Sequence, residues 1–409
     1  MTSTRTAPVG RTASPSTARV INDRLALRLL QEHGALTASQ LKALTGLSRP
    51  TVADLVDRLQ DAGLITVVGE SGAERRGPNA RLYGIVADRT HLAGVDARTH
   101  SVAVCVTDLL GEVLAEATLP VDPDADPAHT VGAAVDLMAR TVQEAGAAPL
   151  HTVAVGAPGL VDPATGELNP ATGLPSWHLP PWHRRLATAL HRRLAVPVLL
   201  ENEVNLAAVA EQRTGAARDR DTFVLLWLGH GIGAAVVLDG ALRRGASGGT
   251  GEIGFLPVPG TGELPSATDC AGGFHDLASA EAVTRLAREH GFAEEAAQGA
   301  ADGAEAATRA AVQAGERGEP FLDALAARIA IGAAAVCAVL DPGCVVLGGE
   351  VGRAGGAALA RQVERHLARM SPLRTEVRAG AAGGGGVLRG AVLTAMDAAQ
   401  DDLFGGGAR

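Results

Sequence analysis

The sequence predicts an α/β protein with a winged helix-turn-helix at its amino end and a duplicated α/β body behind it. Three observations predict this. Residues 20–88 carry three helix-spaced apolar runs ahead of a strand–loop–strand pattern. Beyond residue 88, strands and helices alternate in two similar series. The charge also divides there: residues 1–90 hold 12 Lys and Arg against 8 Asp and Glu, and the remainder holds 24 against 37. An acidic body repels phosphate, so nucleic-acid contact is expected only at the basic front.

Residues 1–19, rich in Ser, Thr, Pro, Ala and Arg, read as a disordered basic tail, followed by a DNA-binding domain over 20–88 and a body over 89–409. Ile21, Leu25, Leu29 and Leu30 give a first helix that stops at Gly34. Thr37 with Gln40 is a capping-box pair for a second, broken at Gly46. Ser48 caps a third, with Pro50 in its first turn and Val52, Leu55, Val56 and Leu59 on one face. Strands at 64–68 and 81–86 flank a polar loop and form the wing. The first body series has strands at 92–97, 101–107, 112–118 and 151–156 and a helix near 129–145. The second begins near Val198, with a helix at 204–214 and strands at 222–229 and 232–239. A long buried helix at 321–340, a strand at 345–347 running into Gly348 and Gly349, and a last helix at 388–403 complete the chain.

At 409 residues the chain has room for two or three domains, and 46% hydrophobic against 20% charged residues excludes a wholly disordered or fibrous protein. Cys105, Cys270, Cys337 and Cys344 are scattered, suggesting neither a disulfide framework nor a paired CxxC metal site. No apolar run approaches a bilayer span and no secretory stretch opens the chain, so a cytoplasmic protein without a membrane partner is expected.

The third helix carries the first candidate function. A plain helical bundle shares its apolar pattern, but the glycine turn, the Ser48 cap and the polar face favour a recognition helix. Ser48, Arg49, Thr51 and Arg58 are candidates for DNA contact from this helix, and Arg75 and Arg76 from the wing. Asp54 and Asp57 restrict base reading to the first turn. One such helix selects too little sequence alone, so a homodimer or higher oligomer on palindromic operator DNA is expected.

Four motifs follow in order: VAVGAPGLVDPATGEL (153–168), ENEVNLAAVAE (201–211), LGHGIGAAVVLDGALRRGASGGTGEIGF (228–255) and DPGCVVLGGEV (341–351). With the winged helix ahead of them, residues 20–400 resemble the ROK family of sugar-responsive repressors, uncharacterised reading frames and sugar kinases. The resemblance implies an actin-like pair of α/β lobes with a sugar in the cleft. Lobe one would span about 89–203 plus the C-terminal helix, and lobe two about 204–387.

The resemblance also implies ligand residues: Gly159, Asn202 and Glu203 in place of the family's Asn-Asp pair, Glu252 in GEIGF, and His275, with Asp276 the other choice depending on where a gap is placed. Glu252 as a satisfied structural carboxylate is the alternative reading. Three departures separate this chain from the kinases. Their DxGGT phosphate loop is Asp96, Ala97, Arg98, Thr99, His100 here, without its glycines. The catalytic Asp is the longer Glu203. The zinc motif CxCGxxGC is absent, with Phe255 at a His position and only Cys270 and His275 left in ATDCAGGFHDLAS, too few to hold a structural zinc. The expectation is a regulator, a repressor in the family's habit, that is no enzyme and has no cofactor or metal. It would answer to a sugar-like effector and govern carbohydrate-metabolism genes. The alternatives are an active sugar kinase that also binds DNA and a DNA-bound scaffold whose cleft takes no small molecule.

Overall fold

The structure is a computed structural model that describes residues 15–71, 80–122, 124–147, 149–168, 182–266, 271–297 and 300–404. The amino-terminal unit holds α1 (Pro15–His33), β1 (Leu36–Thr37), α2 (Ala38–Thr45), α3 (Arg49–Asp61), β2 (Ile65–Ser71) and β3 (Ala80–Ile85), its strands ordered β1-β3-β2. The local signals act as the sequence predicts. Gln40 N donates to Thr37 Oγ1 and Thr37 N to Gln40 Oε1, closing the capping box, and Gly46 ends α2 in the left-handed region at φ 70°.

The first helix departs from the expectation twice. It begins at Pro15, inside the stretch read as tail. Its inward face is Ala26, Leu27 and Leu30, while Ile21 and Leu25 are exposed. Packing against α2 and α3, which lie later in the chain, chooses the buried stripe, and two stripes of similar apolarity compete on this helix.

The body contains two sheets of the same design. The first joins β4 (His91–Ala97), β5 (Ser101–Asp108), β6 (Val113–Pro120), β7 (Leu150–Ala157) and β8 (Val198–Asn202) in the order β6-β5-β4-β7-β8. The second joins β9 (Phe223–Leu228), β10 (Ile232–Leu238), β11 (Ala241–Arg243), β12 (Cys344–Gly348) and β13 (Glu376–Ala379) in the order β11-β10-β9-β12-β13. In each, three antiparallel strands are followed by two parallel ones. This is the duplication that the sequence suggested.

Helices α4 (Pro127–Glu144) and α5 (Trp182–Leu194) cover one face of the first sheet, and α7 (His275–Ala278), α8 (Ala280–Glu289), α9 (Ala300–Gln313), α10 (Glu319–Leu340) and α11 (Gly349–Met370) pack with the second. Among the described residues α10 alone is long and apolar enough to cross a membrane, which the sequence reading did not anticipate. Phe321, Leu325, Ile329 and Ala333 instead bury it in the core of the second lobe.

Between the sheets lie α6 (Glu203–Arg213) and α12 (Gly386–Phe404), whose apolar residues share one core with strands of both lobes. The expected lobe boundary at 203/204 therefore falls at a shared layer. Two glycines let it close: a Cβ on Gly390 would stand 1.9 Å from the Leu206 carbonyl oxygen, and one on Gly94 2.9 Å from the Val392 nitrogen. The amino-terminal unit rests on this layer through α1 and α12, where Arg24 Nη2 donates to the Asp401 carbonyl at 3.2 Å.

Candidate functional site

Strand β8 ends where the two lobes face each other, and its last residue fixes the site. Asn202 Oδ1 accepts from Val204 N at 2.8 Å, capping α6, while its Nδ2 donates to the Gly159 carbonyl at 3.1 Å. Glu201, 4% exposed, supports it: Oε1 accepts from Asn202 N and Asn205 Nδ2, and Oε2 from Arg244 Nε at 2.6 Å. Sequence reasoning missed this role of Glu201, although the packed acids and amides of ENEVN were its signal.

Glu203 follows as the first residue of α6, and its Oε2 is buried without a hydrogen-bond partner. Burial pushes its carboxyl up to about 7; a backbone hydrogen bond opposes this, and the charges of Asp96 and Glu252 add to it. Across the cleft, Glu252 closes a glycine loop pressed onto both lobes. A Cβ on Gly248 would lie 2.0 Å from the Val161 carbonyl oxygen, and one on Gly251 1.8 Å from that of Ala234. Glu252 stands at the open rim, exposed yet crowded enough by protein that burial raises its carboxyl. His275 lies against Gly254 and meets the Phe255 ring edge-on, centroids 5.6 Å apart. Burial lowers its pKa, against the pull of Asp276 and with a smaller push from His230, which keeps it neutral at neutral pH.

The structure brings Gly159, Asn202, Glu203, Glu252 and His275 together around one cavity of about 120 Å³, with Trp227 and Phe255 as its apolar walls. A wider hollow of about 800 Å³ beside α11, bordered by Glu316, Glu319, Arg361 and Arg365, contains none of them.

Where a phosphate loop was expected to be lost, the chain has built something else. Arg98 Nε donates to Asp96 Oδ2 at 2.8 Å, Nη1 to Glu350 Oε1 at 3.0 Å, and Nη2 to the Gly384 carbonyl at 3.3 Å. Asp96 belongs to the first lobe and Glu350 to the first turn of α11 in the second. Glu350 also lies against Gly229, where a Cβ would approach its Oε2 to 2.4 Å. The Gly229–Gly233 loop is thus the β9–β10 turn, closed by Gly229 N to the Gly231 carbonyl. The adjoining hollow, bordered by Gly349, Gly380 and Gly383, is about 20 Å³, room for roughly one water.

On the amino-terminal unit, Ser48 Oγ accepts from Thr51 N and pairs with Thr51 Oγ1 at 2.8 Å, and Ser48 and Arg49 are exposed at the start of α3. Arg58 is held inside the unit. It donates to Asp23 Oδ1 at 2.6 Å and pairs with Asp54, which ties α3 to α1. Arg75 and Arg76, like Cys270, lie outside the described residues.

The architecture defines a class: a winged helix-turn-helix in front of a two-lobed, sugar-kinase-like body. Residues 92–398 match the ROK family and residues 22–77 the MarR family. The chain belongs to the ROK family. It is 25% identical over 240 residues to the xylose repressor of Caldicellulosiruptor bescii, covering 58% of this chain and 59% of that one. The chain thus spans about six-tenths of the length of the curated relatives it matches. A solved ROK family transcriptional regulator, a homologue of the E. coli MLC protein, superposes with a TM-score of 0.75 at 20% identity, over 95% of this chain and 98% of that one. The ROK hexokinase of Thermus thermophilus superposes with a TM-score of 0.60 at 27% identity, over 76% of this chain and all of that one.

Proposed function

We propose that this chain is a DNA-binding transcriptional repressor of sugar-metabolism genes that acts in the cytoplasm and answers to a small sugar-like polyol in the interlobe cavity. One observation carries the reading. The polyol-type groups converge on a cavity, while Arg98 and Glu350 fill the neighbouring place that a kinase keeps for nucleotide phosphates. The name of the xylose repressor relative supports the same function.

Ser48, Arg49 and Thr51 would address base edges, with Arg75 and Arg76 at the backbone or minor groove. A homodimer on a palindrome would supply the selectivity that one helix lacks. The cavity is smaller than the roughly 300 Å³ of ordinary ligand pockets, so occupancy would part the lobes and alter how two winged helices are spaced. A ligand changes operator affinity only by the difference between its affinities for the two states.

The test is operator binding by the full chain, on a duplex selected from a random pool and titrated with sugars. Release of DNA by a sugar supports the reading. ATP-dependent phosphorylation of any hexose would replace it with the kinase reading, and indifference of the DNA complex to every sugar would leave the scaffold.

A further inference from the structure

The acidic charge of the body is uneven. Residues 168–200 contain four arginines and no aspartate or glutamate, in a body whose other charges are mostly acidic. All four arginines lie on α5: Arg184, Arg185, Arg192 and Arg193, each exposed. Among the described residues none of them holds an ion pair or a side-chain hydrogen bond, unlike Arg98, Arg244 and Arg378, which each grip a carboxylate.

The fold does not need these arginines. Helix α5 packs on the first sheet through Trp182, Leu186 and Leu190, all buried, so the arginine face is turned away from the core. Arg192 and Arg193 sit in the last turn, where a cation suits the helix macrodipole, but Arg184 and Arg185 sit in the first, where the macrodipole disfavours one. Local stability leaves half the cluster unexplained. The neighbouring α4 offers Asp136, Arg140 and Glu144, all exposed, and its two carboxylates form no ion pair with α5.

The place of the cluster points to its partner. Strand β4 leaves the winged unit at His91, and β7 and β8 run parallel to it, so the start of β8 lies on the winged unit's side. Helix α5 ends at Leu194, just before that start, with His191, Arg192 and Arg193 in its last turn. At the same end of β7, His151 meets Asp402 of α12 at 3.3 Å, next to the Asp401 that Arg24 of α1 holds. From Arg184 to Arg193 the helix rises about 13 Å, a length over which one strand of a duplex presents about four phosphates. Guanidinium forks suit phosphate oxygens. The large apolar side chains of α5 are packed beneath it, so it has none to sink into a lipid surface. We propose that α5 is a second DNA-contacting surface, whose arginines hold the phosphate backbone of the duplex flanking the half-site that the winged unit reads, whatever the flanking sequence. The proposal rests on DNA binding by the winged unit.

The experiment is fluorescence anisotropy with the full chain over about 50 to 200 mM salt. Two duplexes are compared, one ending at the edges of the selected operator and one extended by about two helical turns of arbitrary sequence on each side. In the variant carrying Arg184→Gln, Arg185→Gln, Arg192→Gln and Arg193→Gln, the extended duplex is expected to bind about tenfold or more weakly, with a salt slope shallower by about 2 to 4. Binding of the short duplex, and the preference for operator over a scrambled duplex of the same length, should stay at the parent's values. The pair Arg192→Gln and Arg193→Gln alone should give about half the change in slope. A parent that gains nothing from the flanks, or a fourfold variant with the parent's affinity and slope on the extended duplex, would overturn the proposal. Flotation of the parent, but not the variant, with phosphatidylglycerol vesicles, alongside equal DNA binding by both, would overturn it in favour of a lipid surface. A chain that holds neither duplex would overturn it differently, by removing the DNA binding on which it rests.

Discussion

Arg98 and Glu350 stand 252 positions apart in the chain, yet Nη1 of one donates to Oε1 of the other at 3.0 Å, joining the two lobes. Burial raises the carboxyl of Asp96, the second partner, and the Arg98 charge opposes that rise. An ion pair of this kind is held less by its own attraction than by the cost of stranding one member.

Arg98→Ala is therefore expected to destabilise the protein by about 2 kcal/mol in urea denaturation near neutral pH, because Asp96 is left buried without its counter-charge. The figure lies below that for a fully buried pair because a third of the Arg98 side chain reaches solvent. Arg98→Lys should recover little, since one ammonium cannot serve three acceptors set out for a planar fork. A parent-like midpoint for Arg98→Ala would mean the bridge does not hold in solution.

Glu203 gives a pH signature. Its carboxyl is raised to about 7 in the folded chain, so between the unfolded value near 4.5 and about 7 the folded state holds the extra proton. Stability contributed by this group is full below that window and falls as pH rises through it, by up to about 1.4 kcal/mol per unit. Glu203→Gln should flatten the decline between pH 5 and 7 and stabilise the empty protein above pH 7. Equal slopes for parent and variant would contradict the burial of this carboxylate.

In the winged helix, Arg49→Ala is expected to weaken specific operator binding by roughly 1–3 kcal/mol, and Arg75→Ala to act evenly across sequences. Arg58→Ala should instead lower stability by about 1 kcal/mol, through loss of its ties to Asp23 and Asp54, and leave sequence preference intact. Fluorescence anisotropy on matched and scrambled duplexes separates these effects.

At the cleft, Glu252→Ala should abolish the ligand response while preserving operator affinity. Asn202→Ala should lose the response and also about 1 kcal/mol of stability, since Asn202 caps α6. If both variants released DNA with the parent's ligand dependence, the sensor would have to lie elsewhere.

Features set by close neighbours along the chain are legible in the sequence itself. The Thr37–Gln40 box, the Gly46 turn and the Ser48 cap each act over three or four residues. The cavity residues are legible through their motifs, because Asn202 and Glu203 sit at a strand–helix junction and Glu252 ends a glycine loop. What stays hidden depends on distant partners. The Arg58 tie to Asp23 spans 35 positions, and the lost glycines around Arg98 give no sign of its bonds to Glu350 and Gly384, which come from the far end of the chain. The buried stripe of α1 likewise follows from packing that the sequence of the helix alone leaves open.

Helix α12 starts two residues after Gly384, whose carbonyl Arg98 holds, and it reaches Asp401, which Arg24 of the winged helix grips at the opposite end. Its 19 residues make a rod of about 28 Å. Gly390 seats it against Leu206, within the core that both lobes share. A single helix thus runs from beside the Arg98 bridge between the lobes to the contact with the winged unit, so those two places are joined by one continuous element of the core.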